Sequence, residues 1–290
     1  MKNPVKKDNL PYRKFKNFLF TSLLYLAGFV ALAPLVLVIQ FVIYKGASSL
    51  DWNFFTQLPK PVGETGGGMK HAIIGTLYLV GIGCFVAIPV GLTCGIYLSE
   101  FGKGKIATGL RLAIDLLTGV PSIIIGIFAY LLIVVPFKQF SALAGGLALS
   151  IIILPIVTRS TEEILKLVPT HIREAGLALG LARWKVIFFI VVKGSLSSLT
   201  TGIMLAISRA AGETAPLLFT AFGNVYLSTK LTEPMASLPV QIYTYAISPF
   251  EDWQRQAWAG ALVLIIIVLG LNLGARAFIA RKVLFEKLRK

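Results

Sequence analysis

The sequence contains few charged residues, few histidines and few cysteines for its length. Only 14% of its 290 residues are charged and 56% are hydrophobic, whereas about 25% of the residues of a soluble domain are charged. The two histidines and the two cysteines, Cys84 and Cys94, give little material for a metal site or a disulfide framework. This composition argues against a water-soluble fold and favours an integral membrane protein.

The sequence also lacks the phosphate-binding loop Gly-x-x-x-x-Gly-Lys-[Ser/Thr] of P-loop ATPases. That loop holds the phosphates of a nucleotide on backbone N–H groups and a lysine. We therefore do not expect this chain to hydrolyse ATP in that way. Nucleic acid is not expected as a partner either, because the net charge of +15 is not gathered on a recognisable nucleic-acid-binding module.

Long apolar runs recur along the whole chain. A helix needs roughly 20 residues to cross a hydrocarbon core of about 30 Å, and lipid offers no partner to an open backbone. The runs of suitable length are residues 18–44, 72–98, 112–135, 142–158, 195–222 and 257–280. The sequence therefore predicts an all-α membrane protein with six transmembrane helices. Ordinary kinks are expected at Pro89, Pro121 and Pro155 inside these runs.

The first run begins like a secretory signal peptide. Basic residues precede it, and Ala31-Leu32-Ala33 resembles a cleavage site. The apolar run nevertheless continues through Tyr44, which is longer than the core of a signal peptide. We therefore expect it to be retained as the first transmembrane helix.

Lysine and arginine are distributed unevenly between the two sides of the predicted helices. Most of them lie before the first run, after the second, between the fourth and fifth, and after the sixth. Basic residues accumulate in cytoplasmic connections, so we expect both termini to be cytoplasmic. The predicted organisation is a transmembrane domain at 18–280 between basic cytoplasmic tails at 1–17 and 281–290. The long connections on the other side are expected to cap the outer face.

Between the fourth and fifth runs lies an amphipathic segment, residues 160–194, that contains small residues. Pro169 and Gly180 interrupt it, which predicts short helices joined by turns. Small residues on an exposed helix allow another surface to approach closely. The alternative is a basic amphipathic loop that rests at the lipid headgroups.

This segment resembles the cytoplasmic loop of the membrane subunits of ATP-binding-cassette importers. Their pattern is Glu-Ala-Ala, three residues, Gly, nine residues, then Ile-x-Leu-Pro, and Glu174, Ala175, Gly180 and Ile190 stand at matching positions. The departures from the pattern are Gly176, Val192 and Lys193. The resemblance implies a coupling helix that docks on a separate ATPase subunit. The implied contact residues are Glu174, Ala175, Gly176 and Gly180.

The fifth run contains two charged residues, Arg209 and Glu213, followed by Thr214. A charged side chain at the centre of a membrane helix costs roughly 3 kcal/mol, so such residues are candidates for function. Four-residue spacing places the pair on one helical face, and a guanidinium suits a tetrahedral oxyanion. We therefore assign Arg209, Glu213 and Thr214 to a substrate pathway. The alternative is a structural ion pair that fixes helix packing.

The segment 212–221, Gly-Glu-Thr-Ala-Pro-Leu-Leu-Phe-Thr-Ala, resembles the signature of the PstA family of phosphate permeases. Segments 67–77 and 119–126 are also similar to that family, and the similarity extends over the whole chain. The resemblance implies the type I ABC importer permease fold, of the MetI-like class, in the bacterial plasma membrane. It implies as partners a PstC-like permease subunit, two PstB-like ATPase subunits that bind ATP and Mg²⁺, and a PstS-like extracytoplasmic phosphate-binding protein. The chain itself is expected to bind no cofactor.

Three other functions stay open at this stage. The cargo could be another oxyanion, molybdate or sulfate, because Arg209 does not distinguish between them. A membrane sensor or scaffold is a second alternative. An intramembrane enzyme is disfavoured, because it would need facing catalytic groups inside the spans, and His71 and His171 both lie at the edges of the predicted helices.

Overall fold

The computed structural model describes residues 10–64 and 66–288, with side chains described as far as residue 277. All regular secondary structure in these ranges is helical. The α-helices in chain order are α1 (Leu10–Ala47), α2 (Trp52–Thr56), α3 (Lys70–Glu100), α4 (Lys105–Gly119), α5 (Ser122–Ala129), α6 (Val135–Phe137), α7 (Ala142–Lys166), α8 (Thr170–Ala178), α9 (Arg183–Lys185), α10 (Leu196–Ala211), α11 (Ala215–Thr220), α12 (Leu238–Ala246) and α13 (Glu251–Leu288). Two π-helical segments, Tyr130–Val134 and Val186–Val192, join α5 to α6 and follow α9.

Helices α1, α3, α7 and α13 are each long and apolar enough to cross a membrane. Two further spans are bent pairs of shorter helices. The chain bends by 105° between Lys105–Gly119 and Ser122–Phe137, and by 71° between Arg183–Val192 and Leu196–Ala211. The predicted all-α membrane fold is confirmed, and it has six spans when each bent pair counts as one.

The third predicted span, 112–135, is broken at Pro121 and is not a single kinked helix. Pro121 has no N–H and forces the residue before it out of the helical region, and Val120 accordingly has extended backbone angles of φ −72° and ψ 129°. Pro89 and Pro155, in contrast, lie inside the continuous helices α3 and α7.

The fifth predicted span, 195–222, is also not one continuous helix. Helix α10 ends at Ala211 and α11 begins at Ala215, so Gly212 and its two successors interrupt it. The cause is local, because glycine weakens a helix and Pro216 cannot donate to the preceding turn. The interruption lies within the predicted substrate-pathway residues.

Helices α3 and α7 pack against each other through glycines. A Cβ atom on Gly91 would lie 2.9 Å from Val157 Cγ1, and one on Gly95 would lie 2.6 Å from Thr161 Cβ. Lipid supplies no hydrophobic force between membrane helices, so their association depends on close van der Waals packing. Small residues permit this packing because they let the two backbones approach closely. The two helices therefore form a tightly packed pair at the centre of the fold.

Helix α1 packs along α13, where the rings of Phe41 and Trp258 lie 5.1 Å apart edge to face. Only 6% of the most apolar stretch of α1 is buried within this chain. The rest of that stretch is exposed and available to contact lipid or another subunit. The helix begins at Leu10, inside the predicted tail 1–17, and α13 runs to Leu288, past the predicted end of the membrane domain at 280. Residues 1–9, 289 and 290 lie outside the described residues.

The connections that precede α3 and follow α11 fold onto the end of the molecule opposite α8. Gly75 lies so close to the Ala236 carbonyl oxygen that no side chain fits there. The Leu238 N–H donates to Thr76 Oγ1 at 2.8 Å, and Gly68 lies against the backbone of Asn53. These contacts explain why segment 67–77 combines glycines with a threonine.

Candidate functional site

The helix that carries Arg209 ends two residues after it. The N–H of Gly212 donates to the Arg209 carbonyl at 3.1 Å, and the N–H of Glu213 donates to the Ala210 carbonyl at 3.2 Å. Both bonds span three residues, as in a 3₁₀-helix, and they end α10. Thr214 precedes the first residue of α11. Pro216 stands in the first turn of α11, where the missing N–H would have no partner in any case.

Arg209 and Glu213 face each other across this interruption. Arg209 Nε lies 3.7 Å from Glu213 Oε1, which is an ion-pair distance but too long for a hydrogen bond. The expectation that both residues share a helical face is wrong, because Glu213 lies beyond the end of α10. The Arg209 side chain is 53% exposed and that of Glu213 is 14% exposed. Thr214 is half-buried beside them.

The Arg209 guanidinium has donors to spare. An arginine side chain carries five N–H groups, and none of those of Arg209 makes a hydrogen bond within the described part of the chain. The loose contact with Glu213 supplies a compensating charge without occupying these donors. The site can therefore accept an anion with several oxygen atoms without breaking a tight bond.

The break at Pro121 lies beside the break after α10. Arg209 lines a narrow cavity together with Val120, Ser122 and Pro155, near the middle of α7. Interrupted helices of this kind form the substrate sites of many transporters, because their free backbone groups need a polar cavity. Segments 119–126 and 212–221, which both resemble the PstA family, are thus neighbours in space.

A wider cleft of about 370 Å³ extends from Arg209 along α7. It is lined by Thr118, Ile156, Arg159, Ser160, Glu163, Leu205 and Arg209. Arg159 Nε donates to Glu163 Oε1 at 2.7 Å, and its Nη1 lies 3.6 Å from Asp115 Oδ1. Arg159 was not predicted as a candidate site residue, because it directly follows the predicted fourth span. Its four-residue spacing to Glu163 at the end of an apolar run was the available signal.

Helix α8 is bounded by the two residues that predicted its limits. It begins after Pro169, and Gly180 follows its C-terminus with a left-handed φ of +78°. The N–H of Gly180 donates to the Leu177 carbonyl at 2.9 Å, and the N–H of Leu181 donates to the Gly176 carbonyl at 3.3 Å. This pair of bonds is a Schellman motif, which explains why glycine stands at position 180.

The four predicted coupling residues do not share one surface. Glu174, Ala175 and Gly180 are exposed, whereas Gly176 is buried. A Cβ atom on Gly176 would lie 3.0 Å from Ile190 Cδ1. Gly176 therefore faces inward, where it lets α8 lie against the π-helical segment Val186–Val192.

Exposed leucines flank the outer face of α8. Leu167 and Leu179 are each 82% exposed, and Leu177 is 46% exposed. Apolar side chains grouped on an exposed surface mark a site of interaction with protein or membrane. Leu177 follows Glu174 by three residues and Leu179 follows Ala175 by four, and Glu174 and Ala175 are the two coupling residues exposed within α8 itself.

Residues 87–284 match the family described as "Binding-protein-dependent transport system inner membrane component". The chain is 43% identical over 272 residues to the phosphate transport system permease protein PstA of Haemophilus influenzae, which covers 93% of this chain and 96% of that protein. It is 42% identical over 278 residues to the protein of the same name from Yersinia pestis, covering 96% and 94% of the two chains.

The fold is also that of a solved transporter. The inward-facing MetNI methionine ABC transporter aligns with a TM-score of 0.57, covering 73% of this chain and 92% of its own, at 15% sequence identity. At that identity the likeness speaks for the fold alone. The resemblance predicted from the coupling segment and from segment 212–221 is confirmed. The chain therefore belongs to the family of binding-protein-dependent transport system inner membrane components and, within it, to the PstA permeases.

Proposed function

We propose that this chain is the PstA-type subunit of an ATP-driven importer and that it passes inorganic phosphate across the bacterial plasma membrane. The observation that carries the proposal is the Arg209 guanidinium, which donates no hydrogen bond to any described residue and lies at the meeting point of two interrupted helices. The similarity to curated PstA proteins along nearly the whole chain supports phosphate as the cargo.

Arg209 would bind the phosphate anion in transit. A planar guanidinium offers a fork of donors to two oxygen atoms of a tetrahedral oxyanion, and its charge offsets that of the ion. Glu213, 3.7 Å away, would be the counter-ion that the phosphate displaces from Arg209 and that attracts the guanidinium again after release. The Thr214 hydroxyl is a further donor at the same interruption.

The cleft from Arg209 to Arg159 would be the route away from this site. Both guanidinium groups line it, and Glu163 keeps Arg159 partly neutralised when no anion is present. Charged groups that alternate in sign let an anion bind and leave without a deep energy minimum.

Members of this family act together with ATPase and substrate-binding components. We infer a PstC-like second permease subunit, two PstB-like ATPase subunits and a PstS-like phosphate-binding protein. ATP and Mg²⁺ would reside on the ATPase subunits, and this chain would bind no cofactor. Glu174, Ala175 and the exposed leucines around α8 would meet the ATPase. The distribution of basic residues supports a cytoplasmic location for α8 and for both termini.

Uptake of radiolabelled phosphate by proteoliposomes that contain the complete complex tests the proposal. Arg209→Gln is expected to lower uptake by about 30-fold, the equivalent of roughly 2 kcal/mol. Arg255→Gln, at an exposed arginine in the first turns of α13, is the matched control and should transport like the wild type. Wild-type uptake in the Arg209→Gln complex would contradict the role of Arg209.

The same vesicles distinguish the alternatives. Uptake of molybdate or sulfate, without phosphate uptake, would assign the cargo to another oxyanion. A chain that purifies without an ATPase subunit and moves no anion would act as a sensor or scaffold instead.

A further inference from the structure

A carboxylate at the end of α3 holds an arginine of α8. Arg173 Nη2 donates to Glu100 Oε1 at 2.6 Å, and Arg173 Nε lies 3.1 Å from both carboxylate oxygens. The Glu100 side chain is 6% exposed and that of Arg173 is 19% exposed. A pair with several bonds that is shielded from water keeps its geometry far better than an exposed one.

The same arginine also binds the end of α7. Arg173 Nη1 donates to the Val168 carbonyl at 2.5 Å, and Nη2 donates to the Leu165 carbonyl at 2.8 Å. Carbonyl groups at the C-terminus of a helix have no partner within the helix and carry its negative dipole end. One guanidinium therefore joins three helices: α3, α7 and α8.

A second arginine links α9 to the same end of α3. Arg183, the first residue of α9, donates from Nη2 to the backbone carbonyl of Glu100 at 2.8 Å. Its guanidinium carbon lies 4.5 Å from the centre of the Phe101 ring. Arg173 in α8 and Arg183 in α9 thus both bind the last residue of α3, Glu100.

A displacement of α8 has a defined route into the membrane domain. Helices α3 and α7 are locked together by Gly91 and Gly95, so a pull on the end of α3 acts on both. Helix α7 also carries Pro155 and Ile156, which line the cavities at Arg209.

We propose that Glu100 and Arg173 are positioning residues that form a joint, through which movement of α8 reaches the α3 and α7 pair and the cleft at Arg209. The inference rests on the proposed function as an ATP-driven importer. Neither Glu100 nor Arg173 was predicted from the sequence as a functional residue. Their proposed role is to transmit movement, and not to dock the ATPase.

The test uses the complete complex, with its partner permease, ATPase subunits and binding protein, in proteoliposomes. Phosphate uptake and ATP hydrolysis are measured in the same preparation. In Glu100→Gln and Arg173→Gln, we expect phosphate moved per ATP to fall about tenfold, while the ATPase subunits remain bound and hydrolysis continues. Arg173→Lys keeps the charge but loses the fork, so its ratio should lie between those of Arg173→Gln and the wild type.

Glu233→Gln is the matched control. It removes a carboxylate that pairs with Lys230 at 2.8 Å, at the end of the molecule opposite α8, and should leave the ratio unchanged. A reversible cross-link supplies a second measurement. With Cys84→Ala and Cys94→Ala as background, Glu100→Cys and Arg173→Cys are joined by a bifunctional thiosulfonate reagent. The cross-link should restore the ratio, and a reducing agent should lower it again.

The outcomes separate this inference from the proposed function. A wild-type ratio in both Gln variants, or no restoration by the cross-link, overturns the joint. Loss of the ATPase subunits from the purified variants also overturns it, because the pair would then only keep the docking surface folded. Absence of ATP-dependent phosphate uptake in the wild-type complex overturns the proposed function, and the joint with it.

Discussion

Gly126 of α5 lies against the Cα atom of Pro216 in α11, so closely that a Cβ atom at position 126 would approach it to 2.6 Å. This contact joins the helices that follow the two interruptions. The polar backbone at both breaks is therefore gathered at one place, beside Arg209. The position of the candidate site depends on the absence of a side chain at residue 126.

Gly126→Ala is expected to separate α5 from α11 and to destabilise the protein by about 1–3 kcal/mol, the usual cost of overpacking. Phosphate uptake should fall as well, because the site is displaced. Gly109→Ala is the control, since a Cβ at that position would have no described atom within 4 Å apart from the backbone of its own helix and its chain neighbours. Thermal unfolding in detergent, measured beside uptake, checks both effects. Equal stability of the two variants would show that the close approach is not required.

Glu213→Gln is expected to slow release and not to abolish binding. Without the carboxylate 3.7 Å away, the Arg209 guanidinium has no competing anion and should hold phosphate more tightly. Both KM and kcat of uptake should therefore fall, by about threefold to tenfold. A raised KM with an unchanged kcat would instead mean that Glu213 contributes directly to phosphate binding.

Asn272 of α13 forms a polar bridge to the turn that precedes Arg209. Its Nδ2 donates to Ser208 Oγ at 2.6 Å and to the Val268 carbonyl at 2.8 Å. Asn272→Leu should lower the free energy of unfolding by about 0.6–2 kcal/mol, the range for hydrogen bonds between membrane helices. In a double-mutant cycle with Ser208→Ala, the two effects should not add. Additive effects would mean that the bridge contributes nothing to stability.

The sequence predicted the continuous spans well because the bilayer fixes their length. The predicted run 72–98 lies within α3, which spans Lys70–Glu100, since both hydropathy and helix length are set by the hydrocarbon core. The breaks at Pro121 and after α10 were missed, because a proline or a glycine permits either a kink or a break. Tertiary packing decides between a kink and a break, and here the deciding contact is the approach of Gly126 to Pro216. Hydropathy alone does not predict such a contact.

The coupling segment could be recognised for a different reason. Its pattern records local backbone geometry, as in the left-handed Gly180 that ends α8. The direction in which each residue points could not be read from it. Gly176 faces Ile190, and only the packed structure reveals that contact. The Glu100 to Arg173 pair was beyond reach for the same reason, because 73 residues separate its members in the sequence.

Neighbouring residues of α8 offer the sharpest test of its function. Ala175 is exposed and Gly176 is buried, so the same substitution should act differently at the two positions. Ala175→Leu should leave the free energy of unfolding within about 0.5 kcal/mol of the wild type, because it touches no packed neighbour. It should nevertheless weaken binding of the ATPase subunits, because a larger side chain would stand on the docking surface.

Gly176→Leu should instead destabilise the protein, by about 1–3 kcal/mol, because a Cβ atom at this position already lies 3.0 Å from Ile190 and Val186. Unfolding of each variant, measured with co-purification of the ATPase subunits, separates the two effects. If Ala175→Leu retained the ATPase fully, the docking surface would lie elsewhere on this end of the molecule. The exposed leucines at positions 167 and 179 would then be the next residues to change, since each is more exposed than Ile172 and Leu177, the large apolar residues of α8 itself.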